Sequence, residues 1–207
     1  MYKEIEYKYD AKNTSFKSFD NFIKTLEVKD HFFANSYDYF FTRDTFNEDV
    51  VRRQGSHNPD DFIRYRFNDT SQELTLKKKT SDLNNQNRIE INLNIKELDK
   101  NKIKKFLEMI GFLYRFQIYK TCFIYIFDKI IVSYYIVYDE NINELGRFIE
   151  IEADEKYDWK DDSEAFQKIN DFEKLFHMIN ITSKYRLTKS LFEMFVPRQK
   201  ILNCKRF

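Results

Sequence analysis

Apolar and polar residues alternate with a period of two along most of the chain. Each segment that alternates in this way predicts a β-strand, because successive side chains of a strand point to opposite faces. About eight such strands with mostly short connections predict an antiparallel sheet that closes, or nearly closes, into a barrel and so removes its exposed edges. The segments are EIEYKY, DYFFTR, FIRYRF, ELTLKKK, RIEINLNI, FQIYKTCFIYIF, IIVSYYIVYD and GRFIEIEA.

Three other segments repeat their apolar residues every three or four positions, which predicts amphipathic helices. They follow Ser15, lie between Lys100 and Gly111, and run from Ser163 to Asn180. Ser15 suits an N-cap, and Gly111 suits the left-handed residue that ends a helix. We expect these helices to flank the barrel. The predicted fold class is therefore mainly β (α+β): an eight-stranded antiparallel barrel with flanking helices.

The charged residues of each strand share one parity and therefore project from one face. For a single strand, a solvated outer face would explain this pattern equally well. Lys and Arg, however, occupy the middle strands, whereas paired carboxylates occupy the first and last ones, and the residues between them are large and apolar. This sorting by sign predicts that the charged face lines the inside of the barrel. The charged sets are Glu4, Glu6 and Lys8; Arg64 and Arg66; Lys77 and Lys79; Arg88 and Glu90; and Glu150 and Glu152.

Composition narrows the chemistry of such an interior. The formal net charge is +1, so the whole molecule offers no broad basic surface for nucleic acid or membranes. The only glycines are Gly55, Gly111 and Gly146, which excludes a glycine-rich phosphate-binding loop. Phosphate would have to be bound by side chains. A lumen of Arg and Lys with acidic patches suits a polyanion together with a divalent cation, because carboxylates repel phosphate unless a metal ion lies between them.

The length of 207 residues predicts a single domain over residues 1–207, with residues 187–207 as a C-terminal extension. Cys122 and Cys204 lie far apart and lack metal-ligand spacing, which favours a reducing compartment. The most apolar stretch, residues 122–138, is interrupted by Asp128 and Lys129 and does not fit a membrane span. Without an apolar leader, the expected location is the cytoplasm.

The order of these motifs resembles the CYTH superfamily of triphosphate tunnel enzymes. The resemblance extends from residue 4 to about residue 185, and its most specific part is the segment ELGRFIEIE. The matching positions are Glu4, Glu6 and Lys8; Arg64 and Arg66; Lys77; Arg88 and Glu90; Lys120; Asp139; and Glu150 and Glu152.

The resemblance implies an eight-stranded tunnel in which Arg and Lys bind a triphosphate and carboxylates bind Mg²⁺ or Mn²⁺. The catalytic residues that the resemblance implies are Glu4, Glu6, Glu150 and Glu152. The same four residues, with Glu90 and Asp139, are the implied metal ligands. The implied substrate-binding residues are Lys8, Arg64, Arg66, Lys77, Lys79, Arg88 and Lys120.

The chain departs from the family pattern in three places. The basic K-x-R strand reads Lys120, Thr121, Cys122, so one phosphate-binding arginine is replaced by cysteine. The Ser-Tyr pair near the C-terminus is represented by SKYR, residues 183–186. The loop at residues 50–62 and the tail after Arg186 have no counterpart that can be aligned.

Three hypotheses for function remain open. The first is a metal-dependent enzyme that hydrolyses a nucleoside triphosphate, thiamine triphosphate or inorganic tripolyphosphate, with class IV adenylate cyclase activity as the alternative reaction. The second is a non-catalytic module that binds polyphosphate or a nucleotide. The third is a barrel whose charged face is its outer surface. The expected partner is a small triphosphate, with an RNA 5′ triphosphate end and a homodimer left open, and no membrane partner.

Overall fold

A computed structural model describes residues 3–43, 61–68, 71–79, 88–95 and 99–196, excluding the side chains of residues 3, 4, 79, 88 and 89. The described strands are β1 (Lys3–Glu4), β2 (Glu6–Asp10), β3 (Asp30–Arg43), β4 (Asp61–Phe67), β5 (Gln72–Lys79), β6 (Arg88–Ile95), β7 (Phe112–Ile126), β8 (Ile130–Tyr138), β9 (Glu144–Ala153) and β10 (Arg186–Leu187). The described α-helices are α1 (Phe16–Ile23), α2 (Lys100–Met109), α3 (Asp162–Phe176) and α4 (Leu191–Phe195).

All described strands belong to one sheet, in the order β1-β6-β5-β4-β3-β7-β8-β9-β2-β10. The strand pairs are antiparallel throughout. Only Ile5 separates β1 from β2, yet β1 pairs with β6 and β2 pairs with β9. The N-terminal segment therefore brings the two ends of the sheet together, and the sheet forms the nearly closed barrel that the sequence predicts.

Two helices cover the outer face of β2, β8 and β9. Ser15 begins α1, since its Oγ accepts a hydrogen bond from the backbone N–H of Ser18 at 3.1 Å. Asp161 begins α3 in the same way, with Glu164 as the donor. The outward-facing tyrosines and aliphatic residues of the strands pack against these helices in a buried cluster. The cluster includes Tyr7, Tyr9, Phe19, Phe22, Ile23, Val132, Tyr134, Ile149, Ile151, Ala165, Ile169 and Phe176.

Helix α2 covers a second part of the outer face. Its Ile103 and Leu107 pack with Phe41, Ile63 and Tyr65, which point outward from β3 and β4. Gly111 follows the helix with a φ of +87°, a conformation that glycine adopts without the cost that a Cβ atom would impose. The terminator predicted at this position is confirmed.

Helix α4, in contrast, lies on the inner side of the sheet. Phe192 and Phe195 are almost fully buried among aromatic residues that point into the barrel from β3, β4, β7 and β9. The ring of Phe192 stacks on Phe62 at 4.9 Å and on Phe116 at 5.5 Å between centroids. The sequence placed residues 187–196 in an extension without an assigned role, whereas in the structure they fill one end of the barrel.

The elements agree closely with those predicted, apart from β3 and the chain after residue 185. Only residues 38–43 of β3 were predicted as a strand. Residues 30–36 pair with β7 alone, and Phe32 and Phe33 are exposed, so this part of the strand lacks the alternation of buried and exposed residues on which the prediction relied. Most of the loop at 50–62, the tail beyond residue 196 and Cys204 lie outside the described residues. Within the described chain, no helix has the length and apolar character that a membrane crossing requires.

Candidate functional site

A polar cavity of about 360 Å³ occupies the interior of the barrel, a size typical of small-molecule sites. Its charged wall comes from alternate positions of the strands, as the shared parity predicts, so the hypothesis of a charged outer face is wrong. The described charged residues that line it are Glu6, Lys8, Asp38, Arg64, Arg66, Glu73, Lys77, Glu90, Lys120, Glu150, Glu152, Glu155 and Lys189.

The first and last charged strands lie side by side in this wall. Glu6 pairs with Glu152 across β2 and β9, and Lys8 pairs with Glu150. The Nζ of Lys8 lies 2.9 Å from Glu150 Oε1 and 3.2 Å from Glu6 Oε1. Tyr135 donates a hydrogen bond to Glu150 at 2.8 Å. Glu6, Glu150 and Glu152 therefore form one acidic wall, in which Lys8 bridges Glu6 and Glu150.

The pKa of Glu150 reflects this contact. Burial raises it, but the positive charges of Lys8 and Lys120 outweigh burial, so the pKa lies below its ordinary value. Glu150 is therefore ionised at neutral pH and can act as an oxygen donor for a cation.

A buried carboxylate holds two of the predicted phosphate-binding residues. Asp38 is fully buried and accepts hydrogen bonds from Arg66 Nε at 2.8 Å and from a terminal nitrogen of Arg66 at 3.0 Å. The Nζ of Lys120 lies 3.0 Å from Asp38 Oδ2. Cys122, two residues further along β7, is buried, and burial raises the pKa of its thiol. The thiol is therefore protonated and contributes no charge.

Arg64 forms a second ion pair, with Glu73 on the neighbouring strand. One terminal nitrogen of Arg64 donates to Glu73 Oε1 at 2.9 Å and to Thr75 Oγ1 at 3.0 Å. The buried Nε of Arg64 has no hydrogen-bond partner among the described residues. A buried donor without a partner is costly, so this N–H is well suited to an anionic ligand. Farther along the wall, Lys77 forms an ion pair with Glu90.

Positive and negative groups are balanced in the cavity wall. The described chain contributes six Lys and Arg side chains and seven Asp and Glu side chains to it. The expected sorting by sign is therefore wrong, because Asp38 and Glu73 stand between the basic residues of the middle strands. The sequence contained the information needed to place both carboxylates in the cavity wall. Glu73 has the parity of Lys77, and Asp38 has the parity of Phe40, which also faces the cavity.

Four of the predicted site residues, Glu4, Lys79, Arg88 and Asp139, are not among the described residues that line the cavity. The side chains of Glu4, Lys79 and Arg88 lie outside the described part of the structure, although their backbones pair as Glu4 with Arg88 and Lys79 with Arg88. Asp139 lies in the turn after β8, where its carboxylate accepts hydrogen bonds from the backbone N–H groups of Asn141 and Asn143. Asp139 does not line the cavity.

The donor chemistry of the acidic wall fits Mg²⁺ or Mn²⁺. Carboxylate oxygens are the protein ligands that such hard cations prefer, and Glu6, Glu150 and Glu152 all face the cavity from two paired strands. Among the described side chains, no three acidic, histidine or cysteine residues converge into a ready-made metal site. Lys8 contacts two of these carboxylates, so a cation that uses them must compete with Lys8.

Solved structures with the same architecture support the fold. A Pyrococcus horikoshii protein is 21% identical, with a TM-score of 0.68 over 95% of this chain and 99% of that one. A Vibrio parahaemolyticus protein described as a "putative adenylate cyclase" is 15% identical, with a TM-score of 0.63 over 92% and 96% of the two chains. No family model and no curated protein matches the sequence.

The same fold also occurs in a large assembly. A chain in the structure of the Schizosaccharomyces pombe Mediator head module is 10% identical, with a TM-score of 0.60 over 86% of this chain and 95% of that one. Function must therefore be argued from the site, since one fold hosts unrelated functions. These likenesses confirm for this chain the antiparallel tunnel fold that its resemblance to the CYTH superfamily implies.

Proposed function

We propose that the chain is a divalent-metal-dependent enzyme that hydrolyses a phosphoanhydride bond of a triphosphate bound in the barrel. The observation that carries this proposal is the juxtaposition of two kinds of side chain in one cavity. Five strand-borne cations, Lys8, Arg64, Arg66, Lys77 and Lys120, share the wall with the hard oxygen donors Glu6, Glu150 and Glu152.

Arginine supports this assignment through its geometry. A planar guanidinium can donate two parallel hydrogen bonds to phosphate oxygens, and such charge-assisted bonds are the strong ones. Arg64 contributes its buried Nε–H, which has no partner in the described structure. We assign Arg64, Arg66, Lys77 and Lys120 to the phosphate oxygens, where they stabilise the charge that spreads over the transferred group in the transition state.

The balance of charge in the wall supports the requirement for metal. A triphosphate carries several negative charges, and the described wall residues carry no excess of positive charge with which to neutralise them. We assign Glu6, Glu150 and Glu152 as the residues that would hold the cation, and we leave Asp139 out because its carboxylate closes a turn away from the cavity. When bound, Mg²⁺ or Mn²⁺ would offset phosphate charge and activate water.

Lys8 links the two halves of this proposed site. It contacts Glu6 and Glu150 while it lines the same cavity as the arginines. A lysine in this position offsets part of the negative charge of the acidic wall. Once a cation takes over that role, the Lys8 ammonium can turn to a phosphate oxygen, because lysine is a flexible point-charge donor.

An assay with separate substrates tests the proposal. The purified protein is incubated with Mg²⁺ or Mn²⁺ and with ATP, thiamine triphosphate or inorganic tripolyphosphate, and the products are identified. We expect orthophosphate from at least one substrate, only in the presence of metal. Formation of pyrophosphate and cyclic AMP from ATP would show that the reaction is cyclisation and not hydrolysis. The absence of both turnover and ligand-induced thermal stabilisation would contradict the assignment of a triphosphate site.

A further inference from the structure

Trp159, the one tryptophan of the sequence, lies at the end of the cavity away from helix α4. On β9, Phe148 packs against Phe195 of α4, with ring centroids 6.1 Å apart. Trp159 instead follows the other end of this strand, and it lines the cavity together with Ala153, the last residue of β9. The indole ring therefore belongs to the end of the cavity that α4 does not fill.

The loop that carries the indole ring also holds it in place. The Nε1–H of Trp159 donates a hydrogen bond to the backbone carbonyl of Asp154 at 2.9 Å. The N–H of Asp154 in turn donates to the carbonyl of Lys129 at 3.0 Å, which ties the loop to the start of β8. The ring of Tyr157 meets the indole edge-on, with centroids 4.9 Å apart. Since the indole N–H is already bonded within the protein, Trp159 offers the cavity the apolar surface of its ring.

The surroundings of this ring differ from the cationic part of the wall. From the start of β8 to the start of α3, the described chain contributes no Lys or Arg to the cavity. Ile131 and Ala153 add apolar surface there, and Glu155 adds an exposed carboxylate. Apolar surface offers a phosphate no hydrogen bond, and a carboxylate repels it. The part of a ligand that binds against Trp159 is therefore not its phosphate chain.

We propose that Trp159 is a specificity-determining residue, whose indole ring stacks on the aromatic heterocycle of an organic triphosphate while the phosphate chain extends into the cationic part of the cavity. This inference rests on the proposed triphosphate site and narrows its substrate class, because inorganic tripolyphosphate has no group that stacks. A nucleoside base and the rings of thiamine share the required chemistry, since both present a flat π-surface to tryptophan.

The fluorescence of Trp159 reports on this stacking directly, because the sequence contains no other tryptophan. ATP, thiamine triphosphate and inorganic tripolyphosphate are titrated in turn into the wild-type protein without metal, so that they bind without turnover. We expect ATP or thiamine triphosphate to change the emission as it binds, and tripolyphosphate to bind without a comparable change. The organic ligand that produces the change identifies the heterocycle. An equal change with tripolyphosphate would contradict stacking.

Titration calorimetry on Trp159→Leu separates stacking from phosphate binding. Leucine keeps apolar contact with the outer cluster against which the half-buried Trp159 packs, but it removes the aromatic face. The affinity for the organic triphosphate should fall roughly tenfold, as for the loss of one stacked base, whereas the affinity for tripolyphosphate should stay within twofold. Trp159→Phe keeps an aromatic ring and should retain most of the affinity. Phe106→Leu is the matched control, since Phe106 is an exposed ring that does not line the cavity.

The outcomes distinguish this inference from the proposed function. Wild-type affinity of Trp159→Leu for both organic ligands, with tripolyphosphate still bound, would overturn the inference and leave the triphosphate site intact. An equal loss of affinity for all three ligands would make Trp159 a residue that only shapes the cavity, and would overturn it too. If Trp159→Leu fails to fold, the fluorescence titration of the wild type decides alone. Absence of binding of every triphosphate by the wild type, with and without Mg²⁺, would overturn the triphosphate site and the inference with it.

Discussion

Asp38 and Arg66 face each other across β3 and β4 and form two parallel hydrogen bonds, of 2.8 and 3.0 Å, inside the barrel. The same carboxylate also contacts Lys120 at 3.0 Å. A carboxylate at this position repels an incoming phosphate, yet it fixes the direction of two cations and offsets part of their positive charge. Asp38 is therefore a positioning residue for the proposed phosphate-binding groups.

Replacing Asp38 by Asn should destabilise the protein and increase its response to polyphosphate. The change leaves Arg66 and Lys120 without their buried counter-charge, which costs on the order of 3 kcal/mol in the free energy of unfolding. Tripolyphosphate can supply the missing negative charge. The ligand-induced rise in the thermal unfolding midpoint should therefore be larger for Asp38→Asn than for wild type, as scanning fluorimetry can measure.

The control for this prediction is Asp171→Asn. Asp171 forms an exposed ion pair with Lys174 on α3, so its removal should change neither stability nor ligand response appreciably. If tripolyphosphate shifts the midpoints of Asp38→Asn and wild type equally, Asp38 does not compete with phosphate for these cations.

Stability should fall steeply in acid because of the buried carboxylates. Burial raises the pKa of Asp38, but Arg66 and Lys120 outweigh burial, so the folded-state pKa lies far below the unfolded value. The pKa of Glu73 is lowered in the same way, by Arg64 and Arg66 against burial. Carboxylates with lowered folded-state pKa values stabilise the fold at neutral pH. This contribution is lost as the pH falls below about 4 towards the folded-state values.

Urea unfolding at a series of pH values measures this effect. The free energy of unfolding of wild type should be nearly level around neutral pH and decrease below about pH 4. Asp38→Asn should show a shallower decrease over the same interval, because one of the responsible groups no longer titrates. Parallel curves for the two proteins would assign the acid sensitivity to other carboxylates.

Glu152→Gln should reduce metal-dependent turnover. The substitution keeps the size of the side chain but removes the charge that a hard divalent cation requires. The loss of a contact that stabilises the transition state commonly costs on the order of 100-fold or more in rate. Steady-state rates over a metal titration measure the effect, and binding of tripolyphosphate without metal should stay equal or become tighter.

Glu144→Gln provides the comparison on the same strand. Glu144 forms an exposed ion pair with Arg147 at the far end of β9 and does not line the cavity. It should retain wild-type turnover and metal dependence. Near-wild-type rates for both variants would remove Glu152 from the proposed metal site.

Phe192→Ala should destabilise the fold by about 3–5 kcal/mol, because it leaves a cavity among Phe40, Phe62 and Phe116. Chemical denaturation measures this loss. Phe106→Ala removes a ring that is 58% exposed on α2 and should change stability by no more than about 0.5 kcal/mol. Equal effects of the two substitutions would mean that α4 does not close the barrel in solution.

The alternation of charged and apolar residues predicted which side chains line the cavity, because the face to which a strand residue points depends only on its neighbours in the sequence. A residue such as Lys77 or Glu150 must point to the same side as its neighbours two positions away. The strands, the three outer helices and the terminator at Gly111 followed from similarly local signals. Each is specified by residues only a few positions apart.

The ion pairs could not be predicted in the same way, because they depend on register between strands distant in sequence. Asp38 meets Lys120 only because β3 and β7 pair in one particular alignment. Helix α4 was missed because its five residues are too few for a helical period to emerge, and because its apolar face turns inward.

The near-closure of the barrel by the N-terminal segment makes the acidic wall depend on a long-range contact. Glu6 on β2 pairs with Glu152 on β9, and the chain between them forms β3 to β8. Pairings between such distant residues fold slowly, since the entropy of closing a long loop must be overcome first. A nascent chain that ends before Glu150 therefore carries Glu6 and Lys8 without the two carboxylates of β9 that face the cavity beside them.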